Sequence, residues 1–165
     1  MTAPLLQRLL PSPDEARSLW QSGSTFRGLT LEPGVLPPLV LFELALRAGA
    51  SNWLMPRLFA LPELGLVVAA GGFKTPIDGG EIEIGYNVAP GFRGRGIATQ
   101  AVALLLAEAF GSGLRRVRAE TVGGNTASER VLEKAGFERG GEAPRAEGPC
   151  RLWWKDAPVR GQVAG

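Results

Sequence analysis

The segment Val88-Ala89-Pro90-Gly91-Phe92-Arg93-Gly94-Arg95-Gly96-Ile97-Ala98-Thr99 carries residue types that suit an anion. Gly94 and Gly96 allow backbone conformations that a Cβ forbids, and they let a ligand approach the main chain. The apolar stretch that follows reads as a helix. Its first N–H groups have no partner and sit at the positive end of the helix dipole. A diphosphate fits such a place, and Arg93 and Arg95 add positive charge. A plain tight turn would use the same glycines, so the loop alone does not decide. Two other phosphate loops are excluded. A P-loop needs Lys-Ser/Thr after its last glycine, where Ile97-Ala98 stand. The dinucleotide fingerprint G-x-G-x-x-G lacks its third glycine, where Thr99 stands.

Composition removes further chemistries. The chain has no histidine, which excludes His-based triads, His-ligated metals and a His general base. Cys150 is the only cysteine, so there is no internal disulfide and no cysteine zinc site; its expected role is a small buried hydrophobe. No metal is expected. Eighteen basic and sixteen acidic side chains give +2, too balanced a charge to coat nucleic acid. No uncharged run approaches the roughly 18 residues of a membrane helix, and Met1–Gln7 carry no basic targeting segment. The expectation is a cytoplasmic protein with neither a nucleic-acid nor a membrane partner. At 165 residues it should form a single domain spanning the whole chain.

The elements that position the loop are readable mainly in the second half. Glu81-Ile82-Glu83-Ile84-Gly85-Tyr86-Asn87-Val88 alternates at period two, as a strand with one buried face does. Residues 97–110 read as an apolar helix, stopped by Gly111-Ser112-Gly113. Residues 116–121 read as a strand and 125–135 as a helix closed by Gly136. Residues 137–140 and 151–155 read as closing strands; the adjacent Trp153 and Trp154 should then point to opposite faces. Earlier, a short strand is expected near 5–10, a helix over 14–21, a loop over 28–38 and a helix over 39–48. A hairpin about Pro62-Glu63 should join 57–61 to 64–73. The order predicts a mixed α/β domain with one sheet covered by helices.

About thirty residues beyond the glycine loop comes Asn125-Thr126-Ala127-Ser128-Glu129-Arg130-Val131-Leu132-Glu133-Lys134-Ala135-Gly136-Phe137. This block resembles the N-x-x-S/A, helix, Gly-Phe block of the GNAT N-acetyltransferase superfamily. Arg93 to Ala98 resemble the same family's R/Q-x-x-G-x-G/A motif. Each block has a strand before it, and they come in the family's order. The resemblance is specific from Glu81 to Phe137. Its wording at Glu83-Ile84-Gly85-Tyr86 and Val131–Phe137 is similar to the ribosomal-protein N-terminal acetyltransferase branch, which also holds members with other acceptors.

The resemblance implies a GNAT-like, mostly antiparallel sheet flanked by helices, with acetyl-CoA as cosubstrate. It implies that Arg93, Gly94, Arg95, Gly96, Ile97, Ala98 and Thr99 hold the pyrophosphate. The pantetheine arm would lie along the strand ending at Asn87-Val88, which in the family splays from the next strand. An N–H near Val88 would face the thioester oxygen, and Asn125 and Ser128 would contact the arm. The reaction implied is direct acetyl transfer to the amine of a protein N-terminus or a small molecule. Glu83 is the first candidate base and Glu81 the second, although both also suit solvated strand positions. The family's usual acid is a tyrosine seven residues after the asparagine, where this chain has Leu132; Ser128 is the remaining family candidate. Thr126 and Glu129 also fit a capping box. The alternative is a CoA-binding regulatory module that has lost catalysis. Homodimers are common in the resembling branch.

Overall fold

The computed structural model describes residues 5–36, 43, 53–75 and 77–159. The helix expected over 39–48 lies outside the described residues. The strands are β1 (Gln7–Leu9), β2 (Thr25–Phe26), β3 (Leu29–Leu31), β4 (Arg57–Leu61), β5 (Leu66–Phe73), β6 (Glu81–Val88), β7 (Arg116–Val122), β8 (Glu138–Ala143) and β9 (Cys150–Asp156). The helices are α1 (Pro13–Ser22), α2 (Ile97–Gly111) and α3 (Thr126–Lys134). They form one mixed sheet in the order β1-β4-β5-β6-β7-β9-β8, with β3 beside β5 and β2 beside β3. Only the β3–β5 and β6–β7 pairs are parallel; the other strand pairs run antiparallel.

Helices cover both faces. One core joins Phe59, Val68, Ile82, Ile84, Leu105 and Trp153, under α2 and α3. The other joins Leu19 of α1 to Phe26, Leu58, Val67 and Ala70. This double cover explains why β4 is buried at every position and is apolar from Leu58 to Leu61, whereas β6 alternates. In β6, Ile82, Ile84 and Val88 face the first core. Burying an Ile side chain contributes roughly 1.5–3 kcal/mol, so a one-residue slip of β6 would be costly.

The expected elements form with small shifts at their ends. Ser12 caps α1 in a reciprocal capping box with Glu15. The loop expected over 28–38 instead contains β3, which pairs with β2 through a turn at Arg27 and Gly28, both at positive φ. Strands of two and three residues are too short to show a period. The T-x-x-E box on α3 does not form. Asn125 stands one residue earlier and its side chain accepts from the Ser128 N–H, while Glu129 pairs with Arg139. As expected, Trp153 turns inward and bonds Thr121 Oγ1 at 2.9 Å, while Trp154 is partly exposed. Cys150 is buried. Among the described residues no helix is long and apolar enough to cross a membrane.

Candidate active site

Strands β6 and β7 pair only over Glu81–Glu83 and Arg116–Arg118, then part. On its other side β6 stays paired with β5 through Val88. The Lys74 N–H donates to Glu83 O, and the Ala89 N–H donates to Val68 O. The odd-numbered residues of β6 therefore turn their main-chain groups toward β5. Alternation turns those of Ile84, Tyr86 and Val88 toward the gap. β7 offers them no partner there, so an extended ligand can complete the strand edge.

The gap widens into a cleft of about 560 Å³ between β6, the glycine loop, α2 and α3. Gly94 and Gly96 both sit at φ +76°. A side chain there would meet open space but would be strained, since a left-handed backbone costs an L-residue about 1–2 kcal/mol. Gly96 is the N-cap of α2 and supplies no side-chain cap, so the first N–H groups of the helix, on residues that line the cleft, are unclaimed by a cap. Replacing Gly96 by Val should therefore cost a few kcal/mol of stability and weaken anion binding at the loop. Parallel melting curves with and without CoA measure both effects; an unchanged CoA-induced shift would contradict the second.

Ten of the eleven residues expected to bind the cofactor line this cleft: Asn87, Val88, Arg93, Gly94, Gly96, Ile97, Ala98, Thr99, Asn125 and Ser128. Arg95 does not; its guanidinium lies over the Phe92 ring, 4.9 Å from the centroid. Arg93 Nε donates to Val88 O at 3.1 Å, which ties the loop to the strand edge. Asn87 Nδ2 donates to Gly34 O at 2.8 Å. The sequence reading missed Tyr86, Phe92, Ala127, Arg130, Val131 and Lys134 as lining residues. The last four follow helical spacing along one side of α3, so periodicity could have found them.

Glu83 and Glu81 do not line the cleft. They project from the opposite face of β6, near the apex where the strands begin to part. Their surroundings differ. Glu81 is gripped by three arginines, with Arg115 at 3.0 Å, Arg118 at 3.6 Å and Arg116 at 3.8 Å. Glu83 has no ion pair among the described residues, and burial pushes its carboxyl above the ordinary 4.5. Lys74, Arg118 and Arg145 oppose that shift, and Glu120 adds to it. Glu120 is itself held low by its hydrogen bonds to Arg145, one of them Nε to Oε2 at 3.1 Å. Gly85 matters sterically, because a Cβ there would meet Lys74 Cε at 2.9 Å. Its absence lets the Lys74 stem cross the strand. Leu132 is fully buried and outside the cleft lining.

Residues 43–138, more than half of the chain, match the family model described as the acetyltransferase (GNAT) domain. The chain belongs to the GNAT acetyltransferase family, and its activity is acetyl transfer from acetyl-CoA to an amine. The fold is shared with ribosomal-protein-S5-alanine acetyltransferase from Vibrio fischeri, at TM-score 0.65 and 17% identity over 96% of this chain and 97% of that one. It is shared with Mycobacterium smegmatis RimJ in complex with CoA-disulfide, at TM-score 0.67 and 21% identity over 96% and 85% of the two chains. AAC(6')-Ib in complex with ribostamycin and coenzyme A aligns at TM-score 0.67 and 17% identity, over 96% and 99%. No protein of curated function matches the sequence.

Proposed function

We propose that this chain acetylates a single amine, most readily the N-terminus of a protein, with Glu83 as the base. One observation carries the reading. The parting of β6 from β7 leaves a strand edge leading from the glycine loop to a half-buried carboxylate on the far face. Acetyl-CoA would lay its pyrophosphate on Arg93–Ala98, with Thr99 adding a hydroxyl. Its arm would pair with β6, with Asn125 and Ser128 on the opposite wall.

Strand spacing supports one placement of the thioester. Five residues of strand separate Glu83 from Val88, about 16 Å. A base at Glu83 does not reach a carbonyl held at Val88, even through one water. Val88 instead holds the arm near the phosphates. The N–H of Tyr86, on the same edge and about 10 Å from Glu83, faces the thioester oxygen and stabilises its oxyanion. Glu81 is the lesser candidate base, because three arginines stabilise its charged form and weaken its pull on a proton.

Charge argues for the acceptor. Around Glu83 the cations Lys74, Arg118 and Arg145 outnumber the carboxylates Glu83 and Glu120. A polycation would be repelled there. An α-amine titrates near 8, against about 10.4 for a lysine-type amine, so a carboxylate base neutralises it more easily. The Vibrio fischeri neighbour, a ribosomal-protein alanine acetyltransferase, agrees with this choice. A cytoplasmic setting suits the lone buried thiol.

Thiol release from acetyl-CoA over a panel of N-terminal peptides, an aminoglycoside and a polyamine tests the reading. Peptides should dominate. A preference for the polyamine would contradict the acceptor assignment, and CoA binding without any release would leave a binding module. Arg130 and Lys134, four residues apart on α3 and lining the cleft, suit the 3'-phosphate of CoA. Removing both should weaken CoA about tenfold or more and leave dephospho-CoA nearly unchanged, as calorimetric titration would read. Equal losses for both ligands would contradict that role.

A further inference from the structure

The thiolate that leaves in this reaction needs a proton, and Leu132 cannot supply one. Among the described residues lining the cleft, the neutral O–H groups are those of Tyr86, Thr99 and Ser128. Thr99 lies in the first turn of α2, beside the phosphate cradle. Ser128 is an alcohol, a far weaker acid than a phenol. Tyr86 differs from both. Its main chain faces the gap where the thioester belongs, and its ring lies against the core beneath. Its hydroxyl crosses to α3 and donates to the Ser128 carbonyl at 3.5 Å, the outer limit of a hydrogen bond. A proton held so loosely can turn to a better acceptor. The charged Lys134 lies six residues further along α3, about 9 Å from Ser128.

We infer that Tyr86 is the proton donor to the leaving sulfur. The assignment rests on the proposed placement of the arm along β6. As the amine nitrogen bonds to the acetyl carbon, it gives its proton to Glu83 through water. The carbon–sulfur bond then breaks and its electron pair goes to sulfur. The Tyr86 phenol gives its proton to that sulfur, the phenolate regains one from solvent through the open cleft, and Glu83 releases the amine's proton to solvent. Products are the amide and neutral CoA thiol, so atoms and charge balance. Burial raises the phenol above its ordinary 10, so it carries its proton at neutral pH.

Tyr86 is the only tyrosine in the chain, so growth on 3-fluorotyrosine labels that position alone. Fluorine NMR of the labelled protein is read with CoA and with desulfo-CoA, which lacks the thiol. Different resonance positions for the two ligands are expected. Both ligands binding with identical resonances would overturn the assignment while leaving the CoA site intact. No binding of either would overturn the proposed function as well. In turnover with acetyl-CoA and an accepted peptide, Tyr86→Phe should lower kcat about 10²- to 10³-fold with KM for acetyl-CoA changed only a few-fold. An unchanged kcat would also overturn it. A loss of kcat in Ser128→Ala as large as that of Tyr86→Phe would move the role to the serine.

Discussion

Glu83→Gln should lower kcat/KM at least a hundredfold while leaving the melting shift produced by acetyl-CoA unchanged. General-base catalysis contributes about 10²–10⁴ in rate, and glutamine keeps the size of the side chain without its basicity. The pH profile of kcat/KM carries a sharper test. A base must be deprotonated to act, so activity climbs as pH rises through the carboxyl pKa. Burial raises that pKa, so the acid limb should lie above the ordinary 4.5. Neighbouring charges should move it in opposite directions. Lys74 lowers the Glu83 pKa, so Lys74→Met should shift the limb to higher pH. Glu120 raises it, so Glu120→Gln should shift the limb to lower pH. Limbs that ignore both substitutions would assign the limb to another group. Stability follows with a definite sign. The folded state holds this proton more tightly than the unfolded chain, so the Glu83 contribution falls as pH rises from about 4.5 through the raised value. At neutral pH, Glu83→Gln should melt no lower than the wild type.

Glu108→Ala should destabilise the fold by about 3–5 kcal/mol, the usual cost of removing one partner from a buried ion pair. Arg57 is 2% exposed at the start of β4. Its guanidinium forks onto Glu108 of α2, Nη2 to Oε1 at 2.7 Å and Nε to Oε2 at 3.1 Å. It also donates to the carbonyls of Trp53 and Met55 at 2.9 and 2.6 Å, and it lies over the Phe73 ring. Without the carboxylate the buried guanidinium loses both arms of that fork. For a chain of this length 1 kcal/mol is roughly 2–4 °C, so the melting temperature should fall by about 6–20 °C. Arg57→Met with Glu108→Leu should recover much of that loss, because two apolar side chains carry no desolvation cost. A drop below 1 kcal/mol for the single variant would show that the charge escapes to water.

These two sites differ in how far the sequence revealed them. The β6 alternation was legible because one face of the strand is buried and the other is not. The glycine loop was legible because positive φ at Gly94 and Gly96 restricts the residue type. Glu83 and Glu81 stand two apart in the same pattern, and nothing in it separates them; arginines from β7 and the chain before it do. The Arg57–Glu108 pair was not legible, because its members stand 51 residues apart and meet only when α2 crosses the sheet. Tyr86 read as an ordinary member of the buried face. What sets it apart is the gap beside it and the approach of Ser128, both products of tertiary packing. Asn125 read as a cofactor contact and is also the helix cap. Its carbonyl oxygen is spent on Ser128 N–H, which leaves its NH₂ group for the arm.

The parted strand edge and its glycine loop are proposed to hold acetyl-CoA. Melting curves with acetyl-CoA, CoA, NAD and ATP at matched concentrations test this most directly. At about 100 times Kd a native-state ligand adds roughly 2.7 kcal/mol, a rise of about 5–10 °C for this chain. That rise is expected with acetyl-CoA and CoA and not with NAD or ATP. No rise with either form of CoA, or an equal rise with all four ligands, would contradict the account.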